Sequence, residues 1–394
     1  MSEPCSAIRE TVGWLVDGAR DVHLPQDVMA GLGARLLAAG LPLHRVALFV
    51  RTLHPNVMGR RFLWRPDAPV EVSDGSYDFL TSDTWQKSPV RPVMQEGETI
   101  RRRLDDPDCP RDFGILEELR AEGVTDYLIQ PLDFSDGQIH AISWTTTRAG
   151  GFSDADLAAL AAIRRPLARL TEIYALRRVL TTLLATYVGR STGQRILEGR
   201  VRRGDIERIA AVILLADLRG FTSLSNTLPG DLVIELLNGW FDALVPAIEA
   251  AGGEILKFIG DGLLAIFPLT ADPAPVCRAA MAAVEAAQDA LAAFNAGLRA
   301  RGRAELRWGM ALHMGEVLYG NIGSASRLDF TAVGPAVNLA ARLETLARDL
   351  GRGLVVSAAV ADHCPHGLAS LGRFELRGFA EPQEVFAPPH CPSR

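Results

Sequence analysis

Residues 252 to 268 read GGEILKFIGDGLLAIFP, two apolar runs of strand length joined at Gly-Asp-Gly. Such a stretch has few choices other than a tight β-hairpin. Strand and helix patterns alternate on either side of it: the strand IAAVILLADL, the helix LVIELLNGWFDALVPAIEAAG, the hairpin, the Ala-rich helix RAAMAAVEAAQDALAAF and the strand RWGMALHMGEVLYG. A helix, AVNLAARLETLA, and short strands follow. The order is βαββαβ, which predicts an α/β (α+β) domain with helices packed on one sheet.

At 394 residues the chain exceeds one ordinary core, and two domains are expected. A formal charge of -6 offers no broad basic surface, so nucleic acid held through its phosphates is not expected, while a local basic site for a small phosphorylated ligand is allowed. The cysteines (Cys5, Cys109, Cys277, Cys364, Cys391) are scattered without a CxxC pair, which argues against a disulfide scaffold or zinc knuckle and for a cytoplasmic protein. His363, Cys364 and His366 in HCPHG lie close together, but without further ligands nearby they read as a polar loop. No run approaches the roughly 18 to 20 apolar residues of a membrane span, and the N-terminus lacks the pattern of an export signal.

The first 163 residues form the expected N-terminal domain: helical periodicity to about Leu41, the strands HRVALFVRTL and GRRFLWR, and two strand-like runs around Asp136-Gly137 that suggest a two-residue hairpin turn. In GFSDADLAALAAI, Ser153 and Asp156 make a capping box. The hairpin leading into that capped helix resembles the closing part of a GAF domain, a small-molecule or signal-sensing module, with a purely structural dimerisation domain as the alternative. Residues 164–204 read as a helical linker. Apolar residues at Leu160, Ile163, Leu167, Leu170, Ile173, Leu176, Leu180, Leu183 and Tyr187 step by three and four like a coiled-coil seam, with a stammer at Leu167–Leu170–Ile173 and Pro166 at a kink or start. Before Pro166 this helix either packs on its own domain or joins the coil; after it, a two-chain coil is favoured. The second domain is expected over 205–394.

Two carboxylates stand out in that domain. Asp217 ends an apolar strand, where an acid is disfavoured unless it caps a turn or binds something, and Asp261 sits at the hairpin tip. If the hairpin pairs beside the first strand, both reach one rim, the arrangement that holds two divalent metals for in-line displacement at phosphorus; oxygen ligands suit magnesium and not zinc. After Asp217, LRGFT makes a short turn able to aim backbone N–H groups at phosphate. Asn338 and Arg342, four apart, share a helix face.

The stretches ADLRGFTSLS, GGEILKFIGDGLLAIFP and FTAVGPAVNLAARLE resemble the three signature stretches of the class III nucleotidyl cyclase catalytic domain, over about residues 205 to 387. The resemblance implies a ferredoxin-like core acting as a head-to-tail homodimer, with each active site across the interface. It implies that Asp217 and Asp261 bind two Mg2+ or Mn2+ ions, with the carbonyl of Leu218 as an extra ligand, and that the turn Arg219, Gly220, Phe221, Thr222 cradles phosphates. Lys257 matches the residue that reads adenine N1, where guanine readers carry glutamate. Thr331 matches its partner, as in a bacterial subgroup, which raises bicarbonate sensitivity as an expectation. Asn338 matches the asparagine that orients the ribose and Arg342 the arginine that steadies the transferring phosphoryl group. Arg377 in the last strand stands where a lysine near the triphosphate is common. Arg327 either faces the polyphosphate or is a solvated loop residue, and His313 is read as a core or interface residue.

The reading is an adenylate cyclase that converts ATP to 3′,5′-cyclic AMP and pyrophosphate, regulated by an unknown small-molecule or protein signal at the N-terminal domain. A guanylate cyclase and a nucleotide-binding regulatory domain without turnover are the rivals. A diguanylate-cyclase signature, GG[DE]EF, is absent from the sequence.

Overall fold

The computed structural model describes residues 6–364 and 367–389. His366, Cys5 and Cys391 lie outside the described residues. The chain divides into two compact units, Met1–Leu183 and Leu184–Arg394.

In the first unit, α1 (Ser6–Val16) and α2 (Pro25–Ala38) precede β1 (Arg45–Arg51), β2 (Gly59–Trp64) and β3 (Glu71–Gly75). A 3₁₀ turn, Tyr77–Thr81, and the short helices α3 (Asp83–Gln86) and α4 (Val90–Glu96) lead to β4 (Ile100–Arg103), α5 (Ile115–Ala121), β5 (Asp126–Asp133) and β6 (Ile139–Thr146). The strands pair antiparallel in the order β3-β2-β1-β6-β5-β4. β5 and β6 are interior strands, buried on both faces. Leu128, Leu132, Ile142 and Trp144 pack with α1, α2 and the helix after β6, while Tyr127, Ile129 and Ala141 pack with α4 and α5. Gly33 allows α2 to lie against the Trp64 ring, which a β-carbon there would overlap.

The hairpin of β5 and β6 closes through three residues rather than the expected two. The Phe134 N–H donates to the Gln138 carbonyl, Gly137 donates to Phe134, and Gly137 takes φ +84°. A left-handed residue ending a three-residue loop places the glycine one step later than a two-residue turn would.

The capping box forms as read: the Asp156 N–H meets Ser153 Oγ at 3.3 Å and the Ser153 N–H meets the Asp156 carboxylate at 2.8 Å. It starts α6 (Asp154–Tyr187), which keeps Pro166 inside. Leu160, Ile163, Leu167 and Leu170 are buried in the first unit's core, whereas Ile173 is 48% exposed and Leu176, Leu180 and Tyr187 are also exposed. The apolar stripe therefore changes character after Leu170 and not at Pro166. The expected boundaries at 163/164 and 204/205 shift accordingly, because the first half of the linker helix belongs to the first core. At its far end, α7 (Arg190–Leu197) lies within the second unit.

The second unit continues with β7 (Ile206–Leu218), α8 (Phe221–Thr227), α9 (Gly230–Ala250), β8 (Glu254–Ile259), β9 (Gly262–Pro268), α10 (Pro273–Ala300) and β10 (Trp308–Gly323). Then come β11 (Leu328–Val333), α11 (Pro335–Asp349), β12 (Leu354–Ser357), α12 (Ala358–Ala361), β13 (Ala369–Phe374) and β14 (Gln383–Ala387). The βαββαβ order holds, with sheet order β13-β14-β12-β10-β7-β9-β8 and β11 paired to the far end of β10. The four strands β10-β7-β9-β8 are the ferredoxin-like arrangement. Alternation along β7 sends Val212, Leu214, Ala216 and Leu218 into the core under α9 and α10. It sends Ala211 and Ile213, and by the same parity Asp217, to the face covered by α11.

Candidate active site

The carboxylate pair is assembled by strand pairing. Ile259 pairs with Gly262, leaving Gly260 and Asp261 as a two-residue turn; Gly260 takes φ +64°, so the turn is type II′ and Asp261 fills its second central position. The Trp240 Nε1–H, from α9, donates to the Asp261 carbonyl at 2.9 Å and holds the tip. β9 pairs with β7 through Leu263 and Ala216, which brings the tip beside Asp217. A β-carbon on Gly262 would lie 3.1 Å from Asp217 Oδ1, so glycine there keeps the carboxylate uncrowded.

Burial, followed by the charge of Asp261, pushes the Asp217 carboxyl up to about 6, against the opposing pull of Arg348 and the Leu218 amide. Glu344 on α11 is raised too, by burial and then by Asp217. Burial and the mutual repulsion of these acids outweigh the nearby Arg348 and Arg219, an arrangement that an incoming cation would relieve. Among the described residues no group of three or more His, Cys, Asp or Glu is placed to hold a metal ion, so the fit rests on Asp217 and Asp261. Leu218 has a buried side chain, and its amide faces the Asp217 carboxylate.

The side chain of Arg219 is tied to backbone carbonyls. Its guanidinium donates to the backbone carbonyls of Ala347, at 2.9 Å, and Arg352, and its own amide donates to the Arg307 carbonyl. Arg219 therefore ties the end of β7 to the C-terminal end of α11 and is spent as a phosphate ligand. Burial holds its guanidinium below the usual range against the opposing pull of Glu344, and its Nε is buried without a hydrogen-bond partner. Of the expected turn, Gly220 in a left-handed conformation and the first residues of α8, Phe221 and Thr222, remain. Their amides open a helix and have no partner one turn back.

Lys257 occupies β8 just after a β-bulge between Ile255 and Lys257. Its Nζ lies 3.4 Å from the Asp329 carboxylate on β11. Thr331, the expected partner, is two residues further along the same strand, so it shares the face of Asp329. It is 3% exposed, and its Oγ1 is buried with no hydrogen-bond partner. Through Leu264 and Leu215, Lys257 lies two strands and two residues from Asp217, about 12 Å between backbones at ordinary strand spacings.

Asn338 and Arg342 are exposed one turn apart on α11, while Leu339, Ala340 and Leu343 bury the opposite face. Among the described residues neither side chain has a hydrogen bond or ion pair. Arg377 is exposed in the turn between β13 and β14, not in a strand. Arg327 is exposed in the loop before β11. His313 on β10 shares a 2.9 Å hydrogen bond between Nδ1 and Ser357 Oγ, and burial holds it down at about 4, in keeping with a neutral, internal residue.

Asp329, Trp240, Glu344 and Arg348 were not singled out from sequence. Asp329 could have been found from the alternation of LDFTAV, and Glu344 from its place half a turn beyond Arg342. Nothing in the sequence marked Trp240 as the support of the hairpin tip.

Residues 205–385 match the family described as "Adenylate and Guanylate cyclase catalytic domain". Over 155 residues, 38% of this chain and 23% of the relative, the protein is 33% identical to "Adenylate cyclase 1" of Rhizobium meliloti. Over 163 residues, 40% of this chain and 32% of the relative, it is 33% identical to "Adenylate cyclase" of Anabaena cylindrica. The chain thus spans about a third or less of these relatives' length. Among solved structures, the adenylyl cyclase CyaB from P. aeruginosa aligns with 26% identity and a TM-score of 0.44, covering 47% of this chain and 96% of that one. The matched segment, 205–385, is the part of the chain that holds the ferredoxin-like sheet and the Asp217–Asp261 rim, and there the chain is similar to adenylate and guanylate cyclase catalytic domains.

Proposed function

We propose that the protein is an adenylate cyclase that converts ATP to 3′,5′-cyclic AMP and pyrophosphate at sites formed between two copies of the chain. Catalytic domains of this class use a nucleotide, depend on divalent metals and act as dimers. The observation that carries the reading is the juxtaposition of Asp217 and Asp261 at one rim, with Asp217 pushed up to about 6 by burial and then by the charge of Asp261. Two magnesium or manganese ions held there would supply Lewis-acid activation of the ribose 3′-hydroxyl and neutralise the leaving pyrophosphate.

The remaining work falls to the side chains. The Lys257 ammonium donates to adenine N1, and the Thr331 hydroxyl, which has no protein partner, accepts from the adenine amino group. Asn338 orients the ribose and Arg342 steadies charge on the phosphoryl group; both are exposed and unpaired, as residues completing a partner's site would be. The amides of Phe221 and Thr222 receive phosphate oxygens. Arg377, exposed in its turn, belongs to the triphosphate side.

The exposed half of α6 supports a role in pairing two chains. Ile173, Leu176, Leu180, Leu183 and Tyr187 recur at steps of three and four, and a second α6 would cover them. The N-terminal unit, GAF-like in the order of its last elements, would then set catalytic output by biasing how the two helices meet.

A second reading, guanylate cyclase, is favoured by one observation: Asp329 places a carboxylate 3.4 Å from Lys257, and a carboxylate can accept the N1 and N2 protons of guanine. Supplying ATP or GTP separately with magnesium or manganese separates the two. Cyclic AMP supports the first reading and cyclic GMP the second, while nucleotide binding without either product would favour a regulatory domain lacking turnover.

A further inference from the structure

The helix α7 lies ahead of the segment that matches the cyclase family, yet it is built into the strand that carries Lys257. Gly189, at the start of α7, takes φ +95°, and a β-carbon on it would approach the Ile255 carbonyl at 3.3 Å. Thr192, fully buried, donates its hydroxyl to Glu254 Oε1 at 3.0 Å. The same oxygen accepts the Tyr319 hydroxyl from β10 at 2.8 Å. Tyr319, 1% exposed, packs its ring edge-on against Phe330 at 4.8 Å between centroids, and Arg195 of α7 lies 4.9 Å over the Tyr319 ring.

Two independent features give this cluster its meaning. First, β8 is the terminal strand of the sheet, paired among the described residues with β9 alone, and its ladder is interrupted by the bulge between Ile255 and Lys257. An edge strand with a bulge is held weakly by its own backbone. Second, Phe330 stands between Asp329, the ion-pair partner of Lys257, and Thr331, whose hydroxyl has no protein partner. One carboxylate, Glu254, thereby joins α7, the Lys257 strand and, through Tyr319, the strand with Asp329 and Thr331.

We infer that α7 and the Thr192–Glu254–Tyr319 cluster position the purine-reading strands β8 and β11, with Glu254 as the positioning residue for Lys257. This rests on the cyclase reading for its effect on catalysis, but its structural part stands separately. A hydrogen bond to a charged acceptor is among the stronger ones, and losing one that orients a binding strand changes affinity more than the chemical step.

The test uses the full-length protein and the variants Thr192→Val, Tyr319→Phe and Glu254→Gln. Hydrogen–deuterium exchange is measured on all of them, and steady-state kinetics are run with ATP and GTP. In Thr192→Val and Tyr319→Phe, amides of residues 254–259 and 328–333 should exchange about tenfold faster, while those of β7 keep their protection. KM for ATP should rise about five- to tenfold with kcat changed less than threefold, and the ATP-over-GTP preference should narrow. Glu254→Gln guards against misfolding: it preserves size and one acceptor oxygen, so it should fold and show the same local exchange at smaller amplitude. Unchanged exchange at 254–259 and 328–333 overturns the inference whether or not the parent chain makes a cyclic nucleotide. Faster exchange there with unaltered KM and preference overturns the positioning role. An inactive parent with faster local exchange in the variants counts against the cyclase reading and leaves the structural part standing.

Discussion

Acid should loosen the N-terminal unit through one histidine. His140 on β6 is 1% exposed, its Nδ1 accepts the Arg51 N–H at 3.0 Å, and its ring lies 3.9 Å from that of Phe134. A ring nitrogen occupied as an acceptor cannot also carry a proton, and burial holds the group down at about 4, from an ordinary 6.5. In the unfolded chain it protonates near 6.5, so the unfolded state binds a proton that the folded state refuses. The His140 contribution is therefore complete above 6.5 and is lost as pH falls toward 4. From those two values the loss is about 1.4 kcal/mol at pH 5.5 and about 3 kcal/mol at pH 4. Carboxylates held below their usual range, such as Asp74, Asp112 and Asp156, lose their contribution only under about pH 4, so the interval above that belongs mainly to His140. Urea unfolding of the full chain, followed by hydrogen–deuterium exchange at the amides of β5 and β6, gives the stability of the unit containing His140 at several pH values. Replacing His140 by glutamine keeps an acceptor for the Arg51 N–H but removes the titration, and should flatten the dependence between pH 7 and 4.5. Parallel losses in the parent and His140→Gln would refute the argument.

Three further outcomes follow from the catalytic unit. Asp217→Asn and Arg342→Ala should each abolish cyclic AMP formation, and mixing them should restore up to about a quarter of parental activity, because a random mixed dimer keeps one intact site; no recovery on mixing would mean that each site lies within one chain. Lys257→Glu should lower kcat/KM for ATP at least about a hundredfold, measured against GTP in parallel, since a carboxylate cannot donate to adenine N1. Trp240→Phe removes the donor to the Asp261 carbonyl at the hairpin tip. It should cost about 1 kcal/mol of stability and raise the metal concentration for half-maximal rate several-fold, read from magnesium titrations of turnover.

The two halves of the chain were unequally legible. The βαββαβ order was readable because each element carries a clean period, and the meeting of Asp217 with Asp261 followed once the hairpin was placed beside β7. Arg219 was read as the first backbone N–H of a phosphate-cradling turn, but its N–H is taken by the Arg307 carbonyl and its guanidinium by Ala347 and Arg352, partners that are distant in sequence. Lys257 was recognised but its ion-pair partner was not, because Asp329 and Thr331 share one face and residue type alone does not say which is nearer. The period of α6 is continuous across Leu170, so the change from core to exposed stripe depends on where the first unit's sheet ends, a tertiary fact. In the same way α7 has too short a pattern to announce that it supports β8. Its only buried polar anchor, Thr192, acquires meaning through Glu254, 62 residues away.

On the proposed function, ATP is cyclised at a site needing two chains. The most direct test is the rate of cyclic AMP formation from ATP with magnesium or manganese, per mole of chain, over a wide range of protein concentration. Metal-dependent cyclic AMP should form, with specific activity rising as the chain dimerises and then levelling. Specific activity independent of concentration in a chain shown to be monomeric, or bound ATP with no cyclic product from a confirmed dimer, would contradict that function.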